Sequence, residues 1–180
     1  MGSYILIALV VVVAAVLARA ASKPNTLRIQ RSARIEAEPM TVYAWLDDFH
    51  KWSEWSPWER LDPALQRTFS GTASGKGAVY AWQGNKKVGS GRMEILESSA
   101  PGSLRIKLDF FTPFEAHNVA IFVLTPGGGG TDITWTMEGP ADFRSKLMST
   151  LINMDKLVGK DFEAGLSNLK GLSERTPANT

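Results

Sequence analysis

Few side chains in this chain have the type and spacing to do chemistry. Asn118, in EAHNVAIFVL, alternates onto the same strand face as Phe122 and Leu124, which sets an amide among apolar side chains. A buried amide without partners costs about 1 to 3 kcal/mol. Asn118 therefore either bonds the backbone of a bulge near Pro113 or hydrogen-bonds the polar group of a ligand. Asp155, in INMDKLVG, shares a helical row with Ile152 and Gly159. An acid there pairs with a neighbour or leans to solvent; inside a cavity it is instead an acid or base with a raised pKa. Glu115 and His117 stand two apart on the outward face of one strand, as an acid–base pair or as a solvated face.

Other chemistries are excluded. The chain has no cysteine, so thiol nucleophiles, disulfides and cysteine-ligated metals drop out. Two histidines, His50 and His117, are too few for a histidine-rich metal centre, and the carboxylates show no ligand spacing. No metal and no cofactor are expected. GTASGKG from Gly71 is one residue short of a phosphate loop and lacks Ser or Thr after Lys76, and GSGRME from Gly89 has no third glycine. Nucleotide binding has no support. With 20 Lys and Arg against 18 Asp and Glu, neither does a nucleic-acid surface.

The elements that position these residues follow from periodicity. Leu27, Ile29 and Ile35 predict a first strand over about 26 to 37. Pro39 suits a first helical turn, and Val42, Leu46 and Phe49 make a core-facing helical stripe that Pro57 closes. From about 65 to 138 the period is two. Tyr80 and Trp82, Met93 and Ile95, and Leu104 to Phe110 alternate with smaller or charged residues, broken by SGKG, QGNK, SAPG and TPGGGG turns. That predicts a six-strand antiparallel meander. Ala141 to Gly171 reads as one amphipathic helix of roughly 30 residues. Gly159 and Gly165 each cost about 1 kcal/mol in its interior, so a sheet or a ligand should approach them closely.

The N-terminus begins MGSYILIALVVVVAAVLARAASKP, with an apolar run from Tyr4 to Ala18. Those fifteen residues fall short of the roughly 20 that span a bilayer core, but Gly2, Ser3, Ala20 and Ala21 extend the run and Arg19 can snorkel. Residues 1–21 are a membrane anchor, contacting lipid through residues 4–18, or a signal peptide, since Ala18-Arg19-Ala20 has a cleavage form. Arg19, Lys23, Arg28, Arg31 and Arg34 all follow the run, which favours a cytoplasmic domain, whereas the cleavage form favours export. Residues 22–26 form a linker, 27–171 the globular domain and 172–180 a flexible tail.

That order of elements, with ARIEAEPMTVYAWLDDFHKWSEWSPW, GAVYAWQGNKKVGSGRMEI and INMDKLVGKDFEAGLSNLK, resembles the START-like (SRPBCC) superfamily, specifically its polyketide cyclase/dehydrase-like branch with an N-terminal membrane segment. The resemblance implies an α+β helix-grip (START/Bet v 1-like) fold. A seven-strand antiparallel sheet would wrap round a long C-terminal helix, with an apolar cavity between them for lipids, polyketides or similar molecules. Tyr80, Trp82, Met93, Leu108, Phe110, Asn118, Phe122, Trp135 and Met137 would line it from the sheet, and Met154, Val158 and Phe162 from the helix. Each of these also suits plain core packing.

HKWSEWSPWER holds Trp52, Trp55 and Trp58. A spacing of three advances about 300° per step along a helix, so the indoles should not all face one core. Trp58, after Pro57, is expected to be structural, and Trp52 or Trp55 to sit at the cavity rim or against the membrane. The expected function is membrane-tethered binding of a hydrophobic small molecule or lipid without chemistry. The alternatives are a cyclase or dehydratase using Asn118 and Asp155, and a protein-interaction domain with a vestigial cavity.

Overall fold

The computed structural model describes residues 2–175. Helix α1 (Gly2–Ala21) precedes strand β1 (Thr26–Ile35) and short helix α2 (Pro39–Tyr43). Two 3-10 turns, Phe49–Lys51 and Pro57–Arg60, flank helix α3 (Trp52–Trp55). Strands β2 (Gln66–Gly71), β3 (Ala78–Gln83), β4 (Ser90–Ser99), β5 (Ser103–Thr112), β6 (Ala116–Gly127) and β7 (Gly130–Pro140) follow, then helices α4 (Phe143–Leu151) and α5 (Met154–Ser173).

The seven strands form one antiparallel sheet in the order β1-β7-β6-β5-β4-β3-β2. Consecutive strands from β2 to β7 are neighbours because their turns are short, and β1 closes onto β7 from the far side. This is the expected helix-grip arrangement. Alternation puts Leu104, Ile106, Ala120, Phe122, Leu124, Ile133 and Trp135 on the concave face, against Phe162, Leu166 and Leu169 of α5. The stripe Val42, Leu46 and Phe49 is buried in the same core, although regular helix ends at Tyr43.

The C-terminal helical segment is not continuous. Ile152 is extended (φ −122°, ψ 130°), and Asn153 caps α5 by accepting the Lys156 backbone N–H at 2.9 Å. A fresh N-cap stabilises a helix start by about 1 kcal/mol, so the apolar period runs through 141–171 while the backbone breaks and changes direction. At the other end, Leu172 packs on the core and Ser173 is buried, so α5 continues past Gly171; residues 176–180 of the expected tail lie outside the described residues.

Both helix glycines meet the sheet. A Cβ on Gly165 would lie 3.0 Å from the Trp135 ring and 3.3 Å from Pro57. At Gly159 it would lie 1.9 Å from the Arg31 guanidinium. Arg31 of β1 bridges Asp155 (3.0 Å) and Glu163 (2.7 Å), one on either side of Gly159, and Lys170 donates to the Arg34 carbonyl at 2.7 Å. Helix α5 is thereby held along β1.

Candidate functional site

The segment between α2 and β2 packs across one end of the concave face. Trp52 and Trp55, expected at an exposed rim, are instead core residues, 4% and 0% exposed. A steady advance of about 300° per indole holds only along one straight helix. The chain passes from a 3-10 turn through four α-helical residues to a second 3-10 turn after extended Ser56, so its axis bends and the indoles converge. Their N–H groups donate to main-chain carbonyls beyond α2, Trp52 to Leu46 at 3.0 Å and Trp55 to Trp45 at 3.1 Å. Trp58 is the half-buried one. It stands edge-on to Trp135 and Phe162 and its indole hydrogen-bonds Asp161, whose carboxyl burial pushes above the ordinary range.

Of the residues expected to line a cavity, Tyr80, Met93, Phe122, Trp135, Met137 and Phe162 are buried. Trp82, Leu108, Phe110, Asn118, Met154 and Val158 are half-buried. The central aromatics fill space against each other: Trp135 lies 4.0 Å from Phe162, 5.0 Å from Phe122 and 5.6 Å from Trp55, centroid to centroid. One polar atom is stranded among them. The Trp135 indole N–H is buried with no acceptor among the described residues.

Open space is found at the rim. A groove of about 320 Å³ runs between β2 and the 49–60 segment, lined by Phe49, His50, Ser53, Glu59, Arg67 and Phe69. His50 stacks on Phe69 (4.2 Å), Phe69 on Tyr80 (5.2 Å) and Tyr80 on Trp82 (6.0 Å). Behind them Glu59 accepts from the Tyr80 hydroxyl at 2.5 Å and pairs with Arg67 at 2.7 Å. Burial, and then the Glu59 carboxylate, push the Tyr80 phenol well above its ordinary range, so it stays a donor. His50 is oriented by Asp48, Nδ1 to Oδ1 at 2.9 Å, and Asp48 also caps the 3-10 turn through the His50 N–H. Sequence pattern pointed to Phe49, Tyr80 and Trp82 but not to Ser53, Glu59, Arg67 and Phe69, nor to His50 in this role. Their signal was weak because β2 is an exposed edge strand without alternation, and Glu59 lies in a non-repeating turn.

Asn118 and Asp155 are not brought together. Asn118 lies against β7 and not against a bulge near Pro113, its Oδ1 occupying the space a Cβ on Gly139 would need, 2.0 Å away. Asp155 stands exposed in the first turn of α5 beside β1, where the hydrogen bond from Arg31 holds it below the usual carboxylate range, the opposite of a raised cavity acid. His117 does have acidic partners on the outward face: Asp109 at 2.8 Å and Glu115 at 3.3 Å, with Lys107 also 2.8 Å from Asp109. Among the described residues no group of three or more His, Asp or Glu side chains is arranged so that it could hold a metal ion.

Helix α1 is long and apolar enough to cross a membrane, with a mean hydropathy of 2.6, a form that anchors and signal sequences share.

Comparison with known proteins agrees with this architecture. The sequence profile described as "Polyketide cyclase / dehydrase and lipid transport" matches residues 26–174. No curated protein matches the chain. Solved structures do, at low identity. The di-domain ARO/CYC BexL from the BE-7585A biosynthetic pathway is similar with TM-score 0.64 at 14% identity, over 89% of this chain and 54% of that one. Protein CV1439 from Chromobacterium violaceum is similar with TM-score 0.59 at 19% identity, over 86% of this chain and 100% of that one. The Aha1 dimer from Colwellia psychrerythraea gives 0.60 at 15%, over 84% and 99%.

Proposed function

Because the chain belongs to the polyketide cyclase / dehydrase and lipid transport family, we propose that it binds a hydrophobic small molecule or lipid at the groove beside β2, tethered to a membrane by α1 and without chemistry on its ligand. The groove carries this reading. Phe49 and Phe69 offer apolar faces beside the Arg67–Glu59 pair, which suits a flat apolar body with an anionic or hydrogen-bonding end. The aromatic series from Phe49 through Trp52 and Trp55 leads inward to Trp135, whose free N–H is a second polar handle once these rings part.

Titration of the full chain in detergent with anilinonaphthalene sulfonate, an aromatic anion, tests the reading. Uptake should weaken about tenfold in Phe69→Ala, which removes one wall, and remain in Phe114→Ala, an exposed side chain outside the groove. No uptake, or equal uptake by all three proteins, overturns the proposal.

One observation favours chemistry of the cyclase or dehydratase kind. His50, oriented by Asp48, faces the groove beside Ser53 and Glu59. On that second reading His50→Gln keeps probe binding and loses turnover; on the binding reading there is no turnover to lose.

A further inference from the structure

Helix α4 exposes large apolar side chains. Phe143, Met148 and Leu151 are 49%, 44% and 67% exposed, and Ile152, just beyond the helix, 43%. At 100° per residue Phe143, Leu147, Leu151 and Met148 project within an arc of about 140°, with Arg144 between them. The opposite side is held to the domain: Lys146 is buried and donates to Asn25. Helix α4 has no acidic residue. It is a short amphipathic helix with its apolar side turned outward.

Its neighbour says what covers that side. Helix α4 packs against α1, and the least exposed residues of α1 are Val16 and Ala20, one turn apart. Lys23, just past α1, donates to the Ser149 carbonyl and hydroxyl, and the Asn25 carbonyl accepts from the Ala141 N–H. The apolar run of α1 ends at Ala18 and Arg19 marks the headgroup level. Val16 to Ala20 spans about 6 Å of helix axis across that boundary. Interfacial helices bury their apolar side about 5 to 10 Å into this zone, with basic residues at the phosphates.

We propose that α4 lies in the membrane interface beside α1, with Phe143, Met148 and Leu151 in the acyl region and Arg144 at the lipid phosphates. The domain is then fixed in one orientation on the bilayer instead of swinging on its linker. This rests on the anchor part of the functional reading and is independent of the groove.

The absence of cysteine makes the test direct. Full-length Leu151→Cys, Met148→Cys, Val10→Cys and Lys86→Cys proteins are labelled with an environment-sensitive fluorophore. Each is reconstituted at one chain per vesicle in 3:1 phosphatidylcholine and phosphatidylglycerol carrying doxyl-labelled lipid. Probes at 148 and 151 should be quenched by the doxyl lipid, as at 10, while the probe at 86, in the β3–β4 turn, is not. If only position 10 is quenched, α1 is an anchor and the inference fails. If position 10 is not quenched either, anchor and inference fail together. Shielding at 148 and 151 that arises only at many chains per vesicle, without lipid quenching, assigns the face to a second copy and also overturns it.

Discussion

Trp135 of β7 and Phe162 of α5 stack with centroids 4.0 Å apart and planes 7° from parallel, joining the middle of the sheet to the helix it grips. Gly165, one turn further along α5, leaves room for the same indole. The pair occupies the centre of the space a ligand cavity would take. The open groove lies at the rim instead, beside β2.

Phe162→Ala should destabilise the domain by about 3 to 5 kcal/mol in chemical denaturation, because a fully buried ring leaves a void. Trp135→Phe should cost less, within about 2 kcal/mol, since it removes a donor that already lacks an acceptor. If the N–H serves a ligand, Trp135→Phe also weakens probe binding.

Gly159→Ala should stabilise less in the parent than in an Arg31→Ala background. In the parent the new methyl displaces the far end of the Arg31 side chain from Asp155 and Glu163, which offsets part of the gain in helix propensity. With Arg31→Ala already present, the helix gains about 1 kcal/mol from alanine over glycine. A double-mutant cycle by urea denaturation measures the difference.

Tyr80→Phe should cost about 1.5 to 3 kcal/mol, because it removes a hydrogen bond to the charged Glu59 within a buried cluster. Difference absorbance of parent against variant should show no phenolate from Tyr80 near the ordinary value of about 10.

Stability should depend on pH through the outward Asp109–His117 pair. The hydrogen bond to Asp109 raises the His117 pKa. Its contribution is therefore complete below the unfolded value of about 6.5 and is lost as pH rises through the raised folded value. Burial alone would raise Asp109, but Lys107 and His117 outweigh it and hold the carboxyl low. That contribution is complete above the unfolded value of about 3.9 and disappears as pH falls through the lowered one. Urea midpoints of His117→Gln should lose the decline that sets in above about pH 6.5 while keeping an acid decline through Lys107 and Asp109.

Period and punctuation alone were enough for β1, for β3 to β7 and for the concave row Tyr80, Met93, Phe122 and Trp135. A side chain's face in a strand depends only on its parity, and Gly-rich turns mark where parity restarts. The apolar run of α1, the closeness of the sheet to Gly159 and Gly165, and the family resemblance are likewise properties of local pattern. Three things required the folded chain. The bend through Ser56 and Pro57, which turns Trp52 and Trp55 inward, depends on acceptors supplied by Trp45 and Leu46. The groove exists only because edge strand β2 meets the 49–60 segment, bringing Arg67 onto Glu59 and Phe69 onto His50. Asp155 became a partner of Arg31 and not a cavity acid because α5 starts anew at Asn153 and lies along β1. Local sequence determines which faces are apolar; which polar groups meet is decided by contacts between residues far apart in the chain, and those only packing brings about.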